Sequence, residues 1–131
     1  MMQKLHSTTV IVADQEEALR FYVDTLGWEK RQDNTMGEMR WLTVAPRGAE
    51  TAVVLGQPEV YNEQAPGPGR SKGCGISVTT DDIDAEYAAL TEKGVNFKQA
   101  PEMMPWGDKA TWFTDPSGNE FFLVQEMGAA S

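Results

Sequence analysis

The sequence predicts an α+β fold made of two βαβββ halves, and three observations carry that prediction. A strand, a helix, a glycine stop and three further strands are written twice, over residues 5–57 and again over 72–126. The landmarks recur in the same order: Asp14 and Asp82 at the helix starts, Gly27 and Gly94 at the helix ends, and Pro46-x-Gly48 and Pro116-x-Gly118 before each last strand. Within each copy the apolar pattern switches from alternation to a helical stripe and back. A repeat of this length is a supersecondary unit that buries its apolar face against its twin. The junction of the two units is therefore where a site is expected.

The first strand is predicted over about 6–13, where Thr8, Val10 and Val12 alternate with Ser7, Thr9 and Ile11. Asp14 caps the following helix, with Glu17 at capping-box spacing. Ala18, Leu19, Tyr22, Val23 and Leu26 form its inward stripe, and Gly27 ends it because glycine tolerates the left-handed conformation at a helix C-terminus. Strands are expected at roughly 28–33, 39–45 and 51–56. The second copy places a strand at about 74–80 and a helix capped by Asp81 or Asp82, with Ile83, Tyr87 and Leu90 inward. Strands near 95–99, 109–114 and 120–126 complete it, the last following the turn Asp115-Pro116-Ser117-Gly118-Asn119. The domain reading is a first module over 1–57, a linker over 58–71 and a second module over 72–131, together making one domain. Residues 101–108, rich in Met and Trp, interrupt the second copy where the first has a short turn, as an insertion forming a ligand wall would.

Composition narrows the function classes. A net charge of −9, with no basic stripe, argues against nucleic acid as a partner. No apolar run approaches the ~20 residues of a membrane helix, and the N-terminus lacks a signal-peptide pattern, so the expectation is a cytoplasmic protein without a membrane partner. Cys74 is the sole cysteine and reads as a small buried residue beside Gly73 and Gly75. Gly67 to Gly73 lacks the flanking strand and helix of a phosphate loop.

The stretch D-x-x-x-A-L-x-F-Y-x-x-x-L-G over Asp14–Gly27 and the pattern from Trp106-Gly107 to Asp115-Pro116-x-Gly118-Asn119 resemble the vicinal oxygen chelate superfamily, which includes glyoxalase I, extradiol dioxygenases and bleomycin-binding resistance proteins. The resemblance spans nearly the whole chain. It implies a cupped, eight-stranded mixed sheet with helices outside, and a homodimer as the expected assembly. It also implies four inward positions for metal ligands, on the first and last strand of each module. Counting from Asp14, Asp82 and Asp115 and across the repeat, those positions are Ser7, Ala52, Gly75 and Phe122. None is a good ligand for a divalent metal, which needs about three side chains from His, Cys and carboxylate.

His6, the only histidine, is one residue off a ligand position and should point to the other face, so it is a weak metal candidate. Glu120 is a weak candidate acid/base, read first as a solvated strand-start residue. The expectation is thus a cofactor-free, metal-free pocket for an apolar or aromatic small molecule. Its candidate lining is Ser7, Gly75, Phe122, Trp106 and one of each pair Arg40/Trp41 and Trp112/Phe113, with Met103 and Met104 nearby. Arg40 is the candidate anchor for an anionic group. The alternative is a glyoxalase-like lyase, isomerase or dioxygenase with displaced ligands, or one using Glu120, Tyr22 or Tyr61 as acid/base.

Overall fold

A computed structural model describes residues 1–127. The first half contains β1 (Ser7–Ile11), α1 (Gln15–Leu19), β2 (Glu29–Met36), β3 (Met39–Ala45) and β4 (Ala52–Gly56). A four-residue helix, α2 (Pro58–Tyr61), begins the connection to the second half. The second half contains β5 (Lys72–Thr79), α3 (Ile83–Glu92), β6 (Asn96–Phe97), β7 (Glu102–Met103), β8 (Lys109–Thr114) and β9 (Asn119–Gln125).

The α+β class and the doubled βαβββ order are as the sequence predicts. The sheet count differs from expectation. Among the described residues nine strands form two sheets, β1-β4-β3-β2 and β5-β9-β8-β6 with β7 beside β8, rather than one sheet of eight. The extra strand, β7, comes from the segment read as irregular: Glu102 pairs with Ala110 and Met103 with Lys109, so that insertion is tied to the sheet beside it.

Asp14 caps α1 as expected, its Oδ1 accepting from the amides of Glu16 and Glu17 at 2.9 and 3.1 Å. Beyond Leu19 the helix departs from the α form and widens into a π-helical segment, Arg20–Thr25, in which the Leu26 amide bonds the Phe21 carbonyl at 2.9 Å. Periodicity carries no signal for such a turn; tertiary contacts select it. Here the segment carries Tyr22, fully buried, whose hydroxyl donates to Asp115 Oδ2 at 2.6 Å. At the start of α3, Asp82 is the cap, accepting from the Ala85 amide.

Both sheets turn their helix-facing sides to one shared core. Val10, Leu42, Val44, Val53 and Leu55 come from the first half, and Phe113, Phe121 and Leu123 from the second. Tyr22 and Trp28 of the first half lie 5.9 and 6.2 Å from the Phe121 ring, centroid to centroid, and Phe121 stacks on Phe113 at 5.2 Å. Each large side chain removed from water here contributes roughly 1.5–3 kcal/mol.

The turn at 115–119 is also the clasp between the halves. Asp115 Oδ1 accepts from the Ser117 and Asn119 amides, which shapes the turn as expected. Asn119 Nδ2 then donates to the Ile11 carbonyl at 2.8 Å, and the Ala13 amide donates to Ser117 Oγ at 2.9 Å. Together with Tyr22–Asp115 these bonds satisfy polar groups that burial would otherwise penalise. Gly118 has no room for a side chain: a Cβ would lie 2.4 Å from the Gly67 carbonyl oxygen, where the connecting segment crosses the turn.

Candidate functional site

Cross-strand register fixes which side chains share the face away from the helices. On the first sheet these are Ser7, Thr9 and Ile11 of β1, Trp41, Thr43 and Ala45 of β3, and Ala52, Val54 and Gly56 of β4, since side-by-side partners share a face. On the second they are Gly73, Ser77 and Thr79 of β5, Ala110, Trp112 and Thr114 of β8, and Glu120, Phe122 and Val124 of β9. Register therefore resolves both pairs left open by the sequence: Trp41 and Trp112 point to the open faces, whereas Phe113 belongs to the core.

Arg40 requires a correction. Its neighbour in the shared core is Leu42, and it stands on the helix-facing side, where Nε and Nη2 bond the two oxygens of Asp33 at 2.8 Å each and Nη1 bonds Glu16. Two carboxylates already occupy the guanidinium, so it is not the free anion anchor expected of it. The bonds from Arg40 hold the Asp33 carboxyl down at about 2.

The second sheet's open face carries a hollow of about 270 Å³ lined by Gly73, Gly75, Ile76, Ser77, Trp112, Glu120 and Phe122. Phe122 is its floor. The Trp112 ring lies 5.2 Å from Phe122 and the Trp106 ring 6.4 Å, both tilted by about half a right angle. Trp106 is 59% exposed at the tip of the 104–108 turn, which the Met104–Asp108 and Gly107–Met104 backbone bonds close. Three aromatics expected as a group are thus brought together with Gly75. Ser7 and Trp41 lie elsewhere: every residue lining this hollow is from the second half. Ser7 is half-buried beside Ala52, hydrogen-bonded to His6 Nδ1 at 3.0 Å, and His6 is exposed. Trp41 donates to Gln32 at 2.8 Å on its own sheet.

One wall of the hollow is a bulge. Gly73 pairs with Glu120 but Ser77 with Phe122, so β5 carries two more residues than β9 across that step. Counting from the helix cap leads to Gly75, but it is Ser77 that stands beside Phe122. Gly75 makes the bulge possible with a φ of +77°, where other residues are strained. Cys74 completes it: its Sγ donates to the Glu120 carbonyl at 3.1 Å, taking the place of a ladder amide. Burial pushes the Cys74 thiol up, away from the reactive thiolate.

The sequence reading missed Ser77 and Lys98. Lys98 Nζ sits 5.0 Å from the Trp112 ring centroid, a cation over the outer rim of the hollow. The signal for the bulge was present in Gly73-x-Gly75 inside a strand. Nothing in an exposed lysine directly after a short strand marks Lys98.

Of the four positions the resemblance singles out, Ala52, Gly75 and Phe122 carry no donor atom, and Ser7 carries one hydroxyl. Among the described residues no three His, Cys, Asp or Glu side chains are grouped to hold a metal ion. Among the described residues no helix is long and apolar enough to cross a membrane.

Residues 4–123 match the Glyoxalase/Bleomycin resistance protein/Dioxygenase superfamily. A solved structure of a member of that superfamily from Sphaerobacter thermophilus DSM 20745 is 52% identical, with a TM-score of 0.88 over 95% of this chain and 98% of that one. TnmS3, an antibiotic binding protein from Streptomyces sp. CB03234, is 37% identical, with a TM-score of 0.81 over 95% of this chain and 97% of its own. YetH of Bacillus subtilis (strain 168) is 32% identical over 95% of this chain and 100% of its own length.

Proposed function

We propose that this chain, which belongs to the Glyoxalase/Bleomycin resistance protein/Dioxygenase superfamily, is a binding protein that holds an apolar or aromatic small molecule without a metal or other cofactor. The observation that carries the reading is Phe122: a position where the fold supplies a metal ligand in other members holds instead the floor of a hollow lined by Trp112, with the Trp106 ring 6.4 Å from Phe122 at its rim. Such pockets are mostly apolar, with a few polar groups that fix orientation. The 37% identity to an antibiotic binding protein supports sequestration of an antibiotic or similar toxic compound in the cytoplasm as its use. A homodimer is part of the proposal, supported by the large apolar side chain of Trp106 left exposed at the rim.

A thermal-shift screen tests the binding reading. A ligand at about a hundred times its dissociation constant adds roughly 2.7 kcal/mol of stability. No stabilisation across a broad panel of aromatic antibiotics and metabolites sinks it. Elemental analysis of protein purified without chelators tests the metal-free part: stoichiometric Ni, Zn, Mn or Fe that is lost in His6→Ala overturns it and favours an enzyme. Sedimentation gives the oligomeric state.

A further inference from the structure

Resting on that reading of the hollow, we infer that its ligand is a planar aromatic bearing a basic amine, with Glu120 as the counter-ion. Among the described residues Glu120 is the only charged one lining the hollow. It is half-buried, shares the open face with Phe122 two residues on, and among the described residues lies within 4.0 Å of no Lys, Arg or His nitrogen. A carboxylate in a pocket wall without an internal partner is a site for an external cation or donor.

The aromatics point the same way. The face of an aromatic ring is the negative end of its quadrupole, so Phe122, Trp112 and Trp106 favour a cation and disfavour an anion. The outer side of Trp112 already holds one, the ammonium of Lys98. Lys98 itself is exposed and does not line the aromatic hollow; it meets Glu120 only across the neighbouring depression that also includes Asn96 and Thr114. The one cation assigned by sequence to anchor an anion, Arg40, is engaged by Asp33 and Glu16 on the other side of the other sheet. A chain of net charge −9 concentrates cations around it. At about 270 Å³ the hollow lies just below the usual pocket range, enough for a compact fused-ring body.

Fluorescence titration of the full chain with three tricyclic probes of one shape tests this: proflavine as the cation, acridone as the neutral compound and acridine carboxylate as the anion. Proflavine should bind roughly tenfold tighter than acridone, a difference of about 1.4 kcal/mol, with the anion weakest. Rising ionic strength should shrink that preference. Glu120→Gln should bring proflavine close to the level of acridone, whose own affinity should change far less. The Glu120 side chain makes no hydrogen bond among those described, so the melting temperature should stay near that of the parent. Equal affinity for all three probes, or a cation preference that survives Glu120→Gln, overturns the inference and leaves the binding reading standing. An anion preference abolished by Lys98→Gln overturns it in favour of Lys98. No binding by any probe, before or after Phe122→Ala, counts against the aromatic site itself.

Discussion

The two halves began as one pattern and now treat their open faces in opposite ways. In the first, Ile11, Thr43, Ala45, Val54 and Gly56 are buried on that face while Thr9 is exposed, and the Tyr61 ring lies against Gly56. In the second, Gly73, Gly75, Ser77 and Thr79 are exposed along β5, while Trp112 and Phe122 are half-covered beside them. The connecting segment sets Tyr61 beside one face and leaves a hollow of about 370 Å³ bounded by Thr9, Ile11, Tyr61 and Gly73; the 101–108 insertion brings Trp106 to the rim of the other without sealing it. The repeat supplies two equivalent surfaces, and the loops shape each into a different hollow. The difference teaches that a repeat locates candidate surfaces, and that loop length and aromatic content set them apart.

Neighbouring residues on β9 give the largest effect and separate core from site. Phe121→Ala removes a fully buried ring that both halves share, at a cost of about 3–5 kcal/mol. Phe122→Ala removes a half-buried ring from the opposite face and should cost well under half of that while abolishing aromatic ligand binding. Chemical denaturation and ligand titration of both variants measure the contrast. Comparable destabilisation by the two would mean that the hollow is only core.

Next is the clasp. Tyr22→Phe leaves Asp115 without its closest donor and should cost about 2 kcal/mol, since hydrogen bonds to charged groups are the stronger class. The same bond gives a pH dependence. Burial first, and then the Asp115 charge, push the Tyr22 phenol up from its ordinary value near 10. The protonated phenol is therefore the form the fold favours, so its stabilisation is complete below about pH 10 and is lost as pH rises beyond it. Denaturation across the alkaline range should show this loss in the parent and a shallower slope in Tyr22→Phe.

Glycine substitutions compare the two open faces directly. Gly75→Ala has free space, but at a φ of +77° it should cost about 1–2 kcal/mol through backbone strain and distort the bulge, weakening ligand binding with it. Gly56→Ala has an ordinary backbone, and its Cβ would come within 2.7 Å of the Tyr61 ring. An exposed side chain yields cheaply, so that variant should lose less stability and keep its ligand, while Tyr61 fluorescence reports a displaced ring. Lost binding in Gly56→Ala would show that the first half's face also belongs to the site.

Much of this was legible in the residues. The caps at Asp14 and Asp82, the inward stripe through Tyr22, and β3 at 39–45 follow from local chemistry that tertiary structure did not override. Strand alternation also gave the facing of Ser7, Thr9 and Ile11 correctly, because β1 is regular. It misplaced the neighbour of Phe122 because β5 is not: two extra residues preserve the parity of the strand but shift its register. The role of Asn119 in joining the halves was invisible for another reason. Its partner, the Ile11 carbonyl, is 108 residues away, and a turn residue looks the same whether its side chain meets water or another strand. Arg40 failed as an anchor because a guanidinium goes where carboxylates are, and Asp33 and Glu16 are on the helix side.

That last placement makes the smallest and most discriminating prediction. Arg40→Ala removes a cluster at a largely exposed edge, where such pairs are worth at most about 1 kcal/mol. Because its bonds hold Asp33 at about 2, below the unfolded value near 4, the cluster's contribution is present above about pH 4 and is lost as pH falls toward 2. Parent and Arg40→Ala stabilities should therefore converge in acid and differ slightly at neutral pH. Ligand affinity should be the same in both at neutral pH, since the side chain is on the far face of the other half. A drop in affinity for any probe in Arg40→Ala would bring the first half back into the site and undo the division of labour between the two faces.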